Sequence, residues 1–158
     1  MTYQEQDAAV AMSFDEMEQY GRNKAQEIQE RRERRKLEQQ RITSDNKLKA
    51  AWAPRIWAEL REILAKRVQA VNDALGENAL IFDAFKPDSV IIQIAHVRSN
   101  LSAVYDPPTG KITLALDDHM ESYDLEVVKG EVKLKAVGYF TPAQLAKMLV
   151  DKAASMVI

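Results

Sequence analysis

Residues 79–139 read ALIFDAFKPDSVIIQIAHVRSNLSAVYDPPTGKITLALDDHMESYDLEVVKGEVKLKAVGY. Within this stretch apolar and polar side chains alternate in short runs, and turn residues separate the runs. Ile112, Leu114 and Leu116 alternate with Lys111, Thr113 and Ala115. Tyr123, Leu125 and Val127 alternate with Asp124 and Glu126, and Val132, Leu134 and Ala136 with Glu131, Lys133 and Lys135. Successive side chains of a strand point to opposite faces, so each run has one buried and one wet face. That pattern predicts an antiparallel meander of about five to six strands with one side covered.

Lys129-Gly130 fits a two-residue hairpin turn, with glycine supplying a positive φ. The register it implies sets Glu126 opposite Lys133, Asp124 opposite Lys135 and Leu125 opposite Leu134. Turn chemistry, apolar register and charge register therefore agree. Earlier strands are expected over 80–85, 90–97 and 101–105. The run from Val90 to Val97 is apolar on both faces and reads as the central strand. Asp117 to Ser122 reads as a polar connection.

Outward from the meander, Leu48, Trp52, Ile56, Leu60, Leu64, Val68, Val71 and Leu75 form one helical stripe, which Trp57 and Ile63 widen. It predicts a long helix lying on the buried face of the sheet. Thr43-Ser44-Asp45 reads as a break and a fresh N-cap. Pro54 predicts a kink or a new helix start, because its ring removes a donor and clashes with the carbonyl four residues back. Gly76 reads as the C-terminal stop. After the meander, Thr141 and Pro142 read as the N-cap and first residue of a short helix whose apolar side is Leu145, Met148 and Leu149. The fold class is α+β: the meander packs against a long helix before it and a short helix after it, preceded by a charged helical arm. The expected division is an arm over 1–44 and a globular domain over 45–158.

The arm is set apart by charge. Residues 1–20 hold Glu5, Asp7, Asp15, Glu16 and Glu18 and no base, whereas residues 21–41 carry a net charge of +4. Val10, Phe14, Met17 and Tyr20 recur at helical spacing, with Ser13 or Asp15 at the start and Gly21 at the end. From Arg22 to Arg41 strong helix formers dominate, and Glu27–Arg31 and Glu30–Arg34 have the favoured order of charges. No apolar residue lies between Ile28 and Leu37. A helix polar all round has no core to dock on and meets either solvent or a polar partner.

The 158 residues carry a net charge of −2, with 46% apolar and 29% charged residues. That balance speaks against a globally basic nucleic-acid binder. There are no cysteines, which excludes disulfides, thiolate metal sites and cysteine nucleophiles. No secretory signal and no membrane-spanning run is read, and a cytoplasmic location is expected. All five glycines are isolated, so no phosphate loop is present. Asp117-Asp118-His119-Met120-Glu121 gathers ligand-type side chains, but its spacing matches no metal motif and a polar connection explains it. His96 stands in an otherwise apolar run without an identifiable partner for acid–base work. No catalytic residue, cofactor or metal is assigned.

The function class that remains is a non-enzymatic protein-interaction module, such as an adaptor, a chaperone or a component of a larger assembly. Its expected contact residues are Phe14, Met17 and Tyr20, then Arg31, Arg34 and Arg35. A protein partner is expected, with self-association open and no membrane partner. Two alternatives stand beside it. One is a nucleic-acid-associated protein using the Arg31–Lys36 edge. The other is a small-ligand binder or enzyme with a pocket between the Trp52–Leu75 helix and the sheet.

Overall fold

The computed structural model describes residues 13–158. One helix, α1 (Phe14–Leu75), is followed by seven strands: β1 (Leu80–Asp83), β2 (Ser89–Ile94), β3 (Asn100–Asp106), β4 (Lys111–Ala115), β5 (Met120–Val128), β6 (Glu131–Lys135) and β7 (Tyr139–Phe140). A second helix, α2 (Pro142–Ser155), ends the fold. Each strand pairs antiparallel with the next, in the order β1-β2-β3-β4-β5-β6-β7. The chain divides into two units, Met1–Ser44 and Asp45–Ile158. Val10, expected on the arm's apolar side, lies outside the described residues.

The hairpin register is the one the charges imply: Asp124 opposes Lys135, Leu125 opposes Leu134 and Glu126 opposes Lys133. Both turn residues have positive φ, 52° at Lys129 and 78° at Gly130, as a type I′ turn requires. The inner face buries Val90, Ile92, Leu101, Ala103, Ile112, Leu114, Tyr123, Leu125 and Leu134. Helix α1 covers that face with Ala53, Ile56, Trp57, Leu60, Leu64 and Val68, and α2 adds Leu145, Ala146, Leu149, Val150 and Ala153. Thr141 caps α2 in a reciprocal capping box with Gln144, and Pro142 stands in the first turn.

Several expectations are corrected. The sheet has seven strands rather than five or six. The seventh is only two residues long, Tyr139–Phe140, too short for an alternation to register. β2 is not central but second from the edge, and it is buried on one face only. His96 lies beyond the end of β2, exposed, at φ 65°. The connection before β5 is shorter than Asp117 to Ser122, because the strand begins at Met120.

The helical signals were also more broken than the helix. α1 runs through Gly21, through Thr43-Ser44-Asp45 and through Pro54 without a new start. A capping residue begins a helix only when the chain before it is non-helical, and Gln39 to Ile42 are helical here. Inside a helix Thr, Ser and Asp each cost only tenths of a kcal/mol. Pro54 costs about 3 kcal/mol, and burial of Ala53, Ile56 and Trp57 beside it offsets that.

The stripe itself is rotated from the expected one. At ~100° per residue, positions spaced by four drift about 40° around the helix at each step. Trp52 and Leu75 accordingly fall off the buried face and are about half exposed. The series closes instead on Asn72, the one buried polar residue among those described. Asn72 Nδ2 donates to the Leu80 carbonyl at 2.8 Å, and its Oδ1 accepts from the Leu80 N–H at 3.0 Å. The Asn72 carbonyl also receives the N–H groups of Gly76 and Glu77, with Gly76 at φ 71°. One residue thus ends the helix and satisfies the outer side of edge strand β1 at Leu80.

Candidate functional site

Ser13 caps α1. Its Oγ accepts from the Glu16 N–H and Glu16 Oε2 accepts from the Ser13 N–H, both at 3.2 Å. From Phe14 to Ser44 every side chain is exposed. Phe14 is 86% exposed, Met17 54% and Tyr20 53%. At ~100° per residue Met17, Ile28, Arg31, Arg35 and Ile42 share one face, with Phe14 and Tyr20 at its margins and Arg34 beside Arg31. The six expected contact residues therefore belong to one broad side of one helix.

The local charge pairing differs from the expected one. Glu27 pairs with Lys24 at 3.2 Å rather than with Arg31. Glu30 accepts from Gln26 at 3.3 Å, while Arg34 Nε donates to the Glu30 carbonyl. Glu38 holds Arg41 at 2.6 Å. Among the described residues no carboxylate lies at ion-pair distance from Arg31, Arg32, Arg34, Arg35 or Lys36. These five residues are exposed, and exposed guanidinium and ammonium groups are suited to carboxylates or phosphates.

The Asp117–Glu121 region holds a hydrogen-bonded chain. His119 Nδ1 lies 2.8 Å from Asp118 Oδ1, and His119 Nε2 lies 3.0 Å from Glu121 Oε1. The Tyr123 hydroxyl donates to Glu121 Oε2 in a short bond. Tyr123 also stands 4.0 Å from Met148 Sδ and makes an edge-on contact with Phe140. Lys152 of α2 approaches Asp118 at 4.0 Å. Hydrogen bonds donated by the ring to Asp118 and then Glu121 raise the His119 pKa, and accepting from His119 lowers that of Asp118. The Tyr123 bond, then the His119 bond, lowers Glu121. Burial, followed by the Glu121 carboxylate, raises Tyr123. The chain joins the β4–β5 turn to the side of the sheet where α2 lies. Among the described residues no group of His, Asp and Glu is arranged to hold a metal ion.

Comparison with models of protein families, with curated proteins and with solved structures found no match. The site must therefore be judged on its own geometry.

The two tryptophans separate sharply. Trp57 is buried, stacks on Tyr105 at 5.5 Å and donates to the Pro87 carbonyl at 2.7 Å. Arg61 Nη2 donates to the Ala84 carbonyl at 2.8 Å nearby. Trp52 is 44% exposed, with the Arg55 guanidinium 5.2 Å from its ring centre. It lines a groove of about 290 Å³ with Ile56, Val132, Leu134 and Phe140. Deeper between α1 and the sheet, Leu60, Leu64, Leu101 and Leu114 are fully buried. His96 is exposed in the turn after β2 and does not line this groove. No helix among the described residues is long and apolar enough to cross a membrane.

Proposed function

We propose that the chain is a non-enzymatic protein-interaction module, an adaptor or a component of a larger assembly, whose contact surface is the helical stretch 14–44. The observation that carries this reading is the exposure of every side chain from Phe14 to Ser44, Phe14, Met17 and Tyr20 included. A helix of this length without a buried face gains little from its own packing, because most helical stability in proteins comes from an apolar face docked elsewhere. A partner supplies that face. Phe14, Met17 and Tyr20 enter an apolar groove, and Arg31, Arg34 and Arg35 meet carboxylates at its rim.

A photo-crosslinking residue at Met17 in the full-length chain tests this in lysate, with the same residue at exposed Phe85 as the control. The expected result is one protein crosslinked from position 17 and not from 85, and lost when Arg31, Arg34 and Arg35 are all changed to Glu. Equal labelling from both positions, or labelling indifferent to the three arginines, would overturn the reading. The five cations that have no ion-pair partner among the described residues favour a second reading, nucleic-acid binding. It predicts retention on duplex or single-stranded DNA that falls steeply with salt, and no protein crosslink from position 17.

A further inference from the structure

β5 covers β6 along its whole length, from Val128 opposite Glu131 to Asp124 opposite Lys135. On the other side β7 covers β6 only at Leu134 and Lys135. The chain then leaves the sheet at Thr141, where the capping box turns it into α2. Glu131, Val132 and Lys133 therefore border no strand on that side. The two-residue turn makes Val128 and Glu131 a hydrogen-bonded pair, and pairs alternate along an antiparallel ladder. Val132 is thus a residue whose N–H and C=O point away from β5, as do those of Leu134, which meets Phe140. The edge offers one donor and one acceptor at strand spacing, beside the groove of Trp52, Ile56 and Phe140.

The side chains say what kind of strand fits. Lys135 is held by Glu126 at 3.3 Å and Lys111 by Asp124 at 3.8 Å. Among the described residues Glu131 and Lys133 have no ion-pair partner. Read along the chain, Glu131-Val132-Lys133 is acid, apolar, base, and an antiparallel copy of that order is its own complement. We propose that the free edge of β6 is a self-association site whose occupant is the same edge of a second copy. A two-fold axis passes between the two Val132 residues, which exchange both main-chain hydrogen bonds. Each Glu131 then faces a Lys133 of the other copy.

The register is decided by charge. Sliding one copy by two residues either way sets Glu131 against Glu131 or Lys133 against Lys133, and like charges directly opposite are destabilising. At the end of the shared segment the turn is held by Gly130, where even an added Cβ would meet nothing within 4 Å. Trp52 borders Gly130, Glu131 and Val132 in an adjoining groove, so closure of this edge covers its exposed ring. The paired segment is short, and the dimer belongs among weak, transient contacts. This edge uses no residue of the 14–44 stretch, and its test does not depend on that stretch.

Sedimentation equilibrium on the full-length chain over a concentration series tests the proposal. The expected result is a monomer–dimer equilibrium that Val132→Pro abolishes while the melting profile of the fold is kept. Proline removes only the outward N–H and is tolerated where that group faces solvent on an edge strand. Glu131→Lys should weaken the dimer by about tenfold or more, and E131K/K133E should restore it. An equimolar mixture of E131K and K133E chains should form mixed dimers, which decides the matter even where Val132→Pro does not fold. A parent chain that stays monomeric throughout would overturn the proposal. So would a dimer indifferent to the charge exchange, which would place self-association elsewhere.

Discussion

Asn72→Ala should be among the most damaging single changes outside the apolar core. Asn72 is buried at 8% exposure, and its amide makes both bonds to the main chain of Leu80. Each such bond contributes about 1 kcal/mol net. Truncation also leaves a buried N–H and a buried C=O at Leu80 unmet, at about 1–3 kcal/mol apiece where water does not enter. Because the site keeps 8% exposure, part of that penalty is relieved by hydration, and the expected loss is about 2–4 kcal/mol. For a domain of this size that corresponds to a fall in Tm of roughly 10–20 °C. Urea denaturation followed by far-UV circular dichroism measures it, with an unchanged m-value expected. Asn72→Asp sharpens the test. The carboxylate accepts from the Leu80 N–H but repels the Leu80 carbonyl, so it should be as damaging at neutral pH. It should recover partly as pH falls and the protonated acid regains a donor. A loss below about 0.5 kcal/mol for Asn72→Ala would refute the reasoning and mean that water replaces both bonds.

Other outcomes follow from the same packing. Leu64→Ala should cost about 2–5 kcal/mol, because Leu64 is 0% exposed in the centre of the core, and an unchanged denaturation midpoint would remove it from the core. Gly110→Ala should destabilise by about 1–3 kcal/mol, since φ is +73° and a Cβ would stand 2.8 Å from Leu125 Cδ1; an unaltered Tm would count against the close packing of that loop. The His119 cluster should give a shallow stability maximum on the acid side of neutrality. His119 is raised in the fold, so its contribution is full below its unfolded pKa near 6.5 and is lost as pH rises through the folded value. Asp118 and Glu121 are lowered, so theirs is present above the ordinary carboxylate range and lost as pH falls through the folded values. His119→Gln should flatten the alkaline side of a Tm-against-pH curve, and an identical curve would show that the imidazole carries no charge-dependent contact.

The parts of the fold legible in the sequence were those where several local signals coincide. Lys129-Gly130 fixed a turn, and the charges of Asp124, Glu126, Lys133 and Lys135 repeated the register that Leu125 and Leu134 required. Thr141, Pro142 and Gln144 did the same for α2. The parts that escaped rest on a single residue or on context. Asn72 is one polar position in an apolar series, so periodicity passes over it. Pro54, Gly21 and Thr43 carry true breaking tendencies of their own, but the helix formers and buried residues around them outweigh these. Tyr123 reads only as an inward strand residue, and its bond to Glu121 escapes because 117–122 reads as a connection, whereas Glu121 lies two residues before Tyr123 on the same strand. In the candidate site, exposure of Phe14, Met17 and Tyr20 follows from the polar run after Ile28, whereas the ion-pair choices of Glu27 and Glu30 turn on rotamers that spacing leaves open.

Amide hydrogen exchange on the full-length chain, at a dilution where sedimentation shows a monomer, tests the central claim most directly. A stretch that lacks a buried face should open locally far more easily than one packed on the sheet. The account predicts fast exchange across residues 14–41 and slow exchange, tracking global unfolding, across residues 56–72. Equally slow exchange in both stretches would mean that residues 14–41 are buried against their own chain, and the binding-helix account would be wrong.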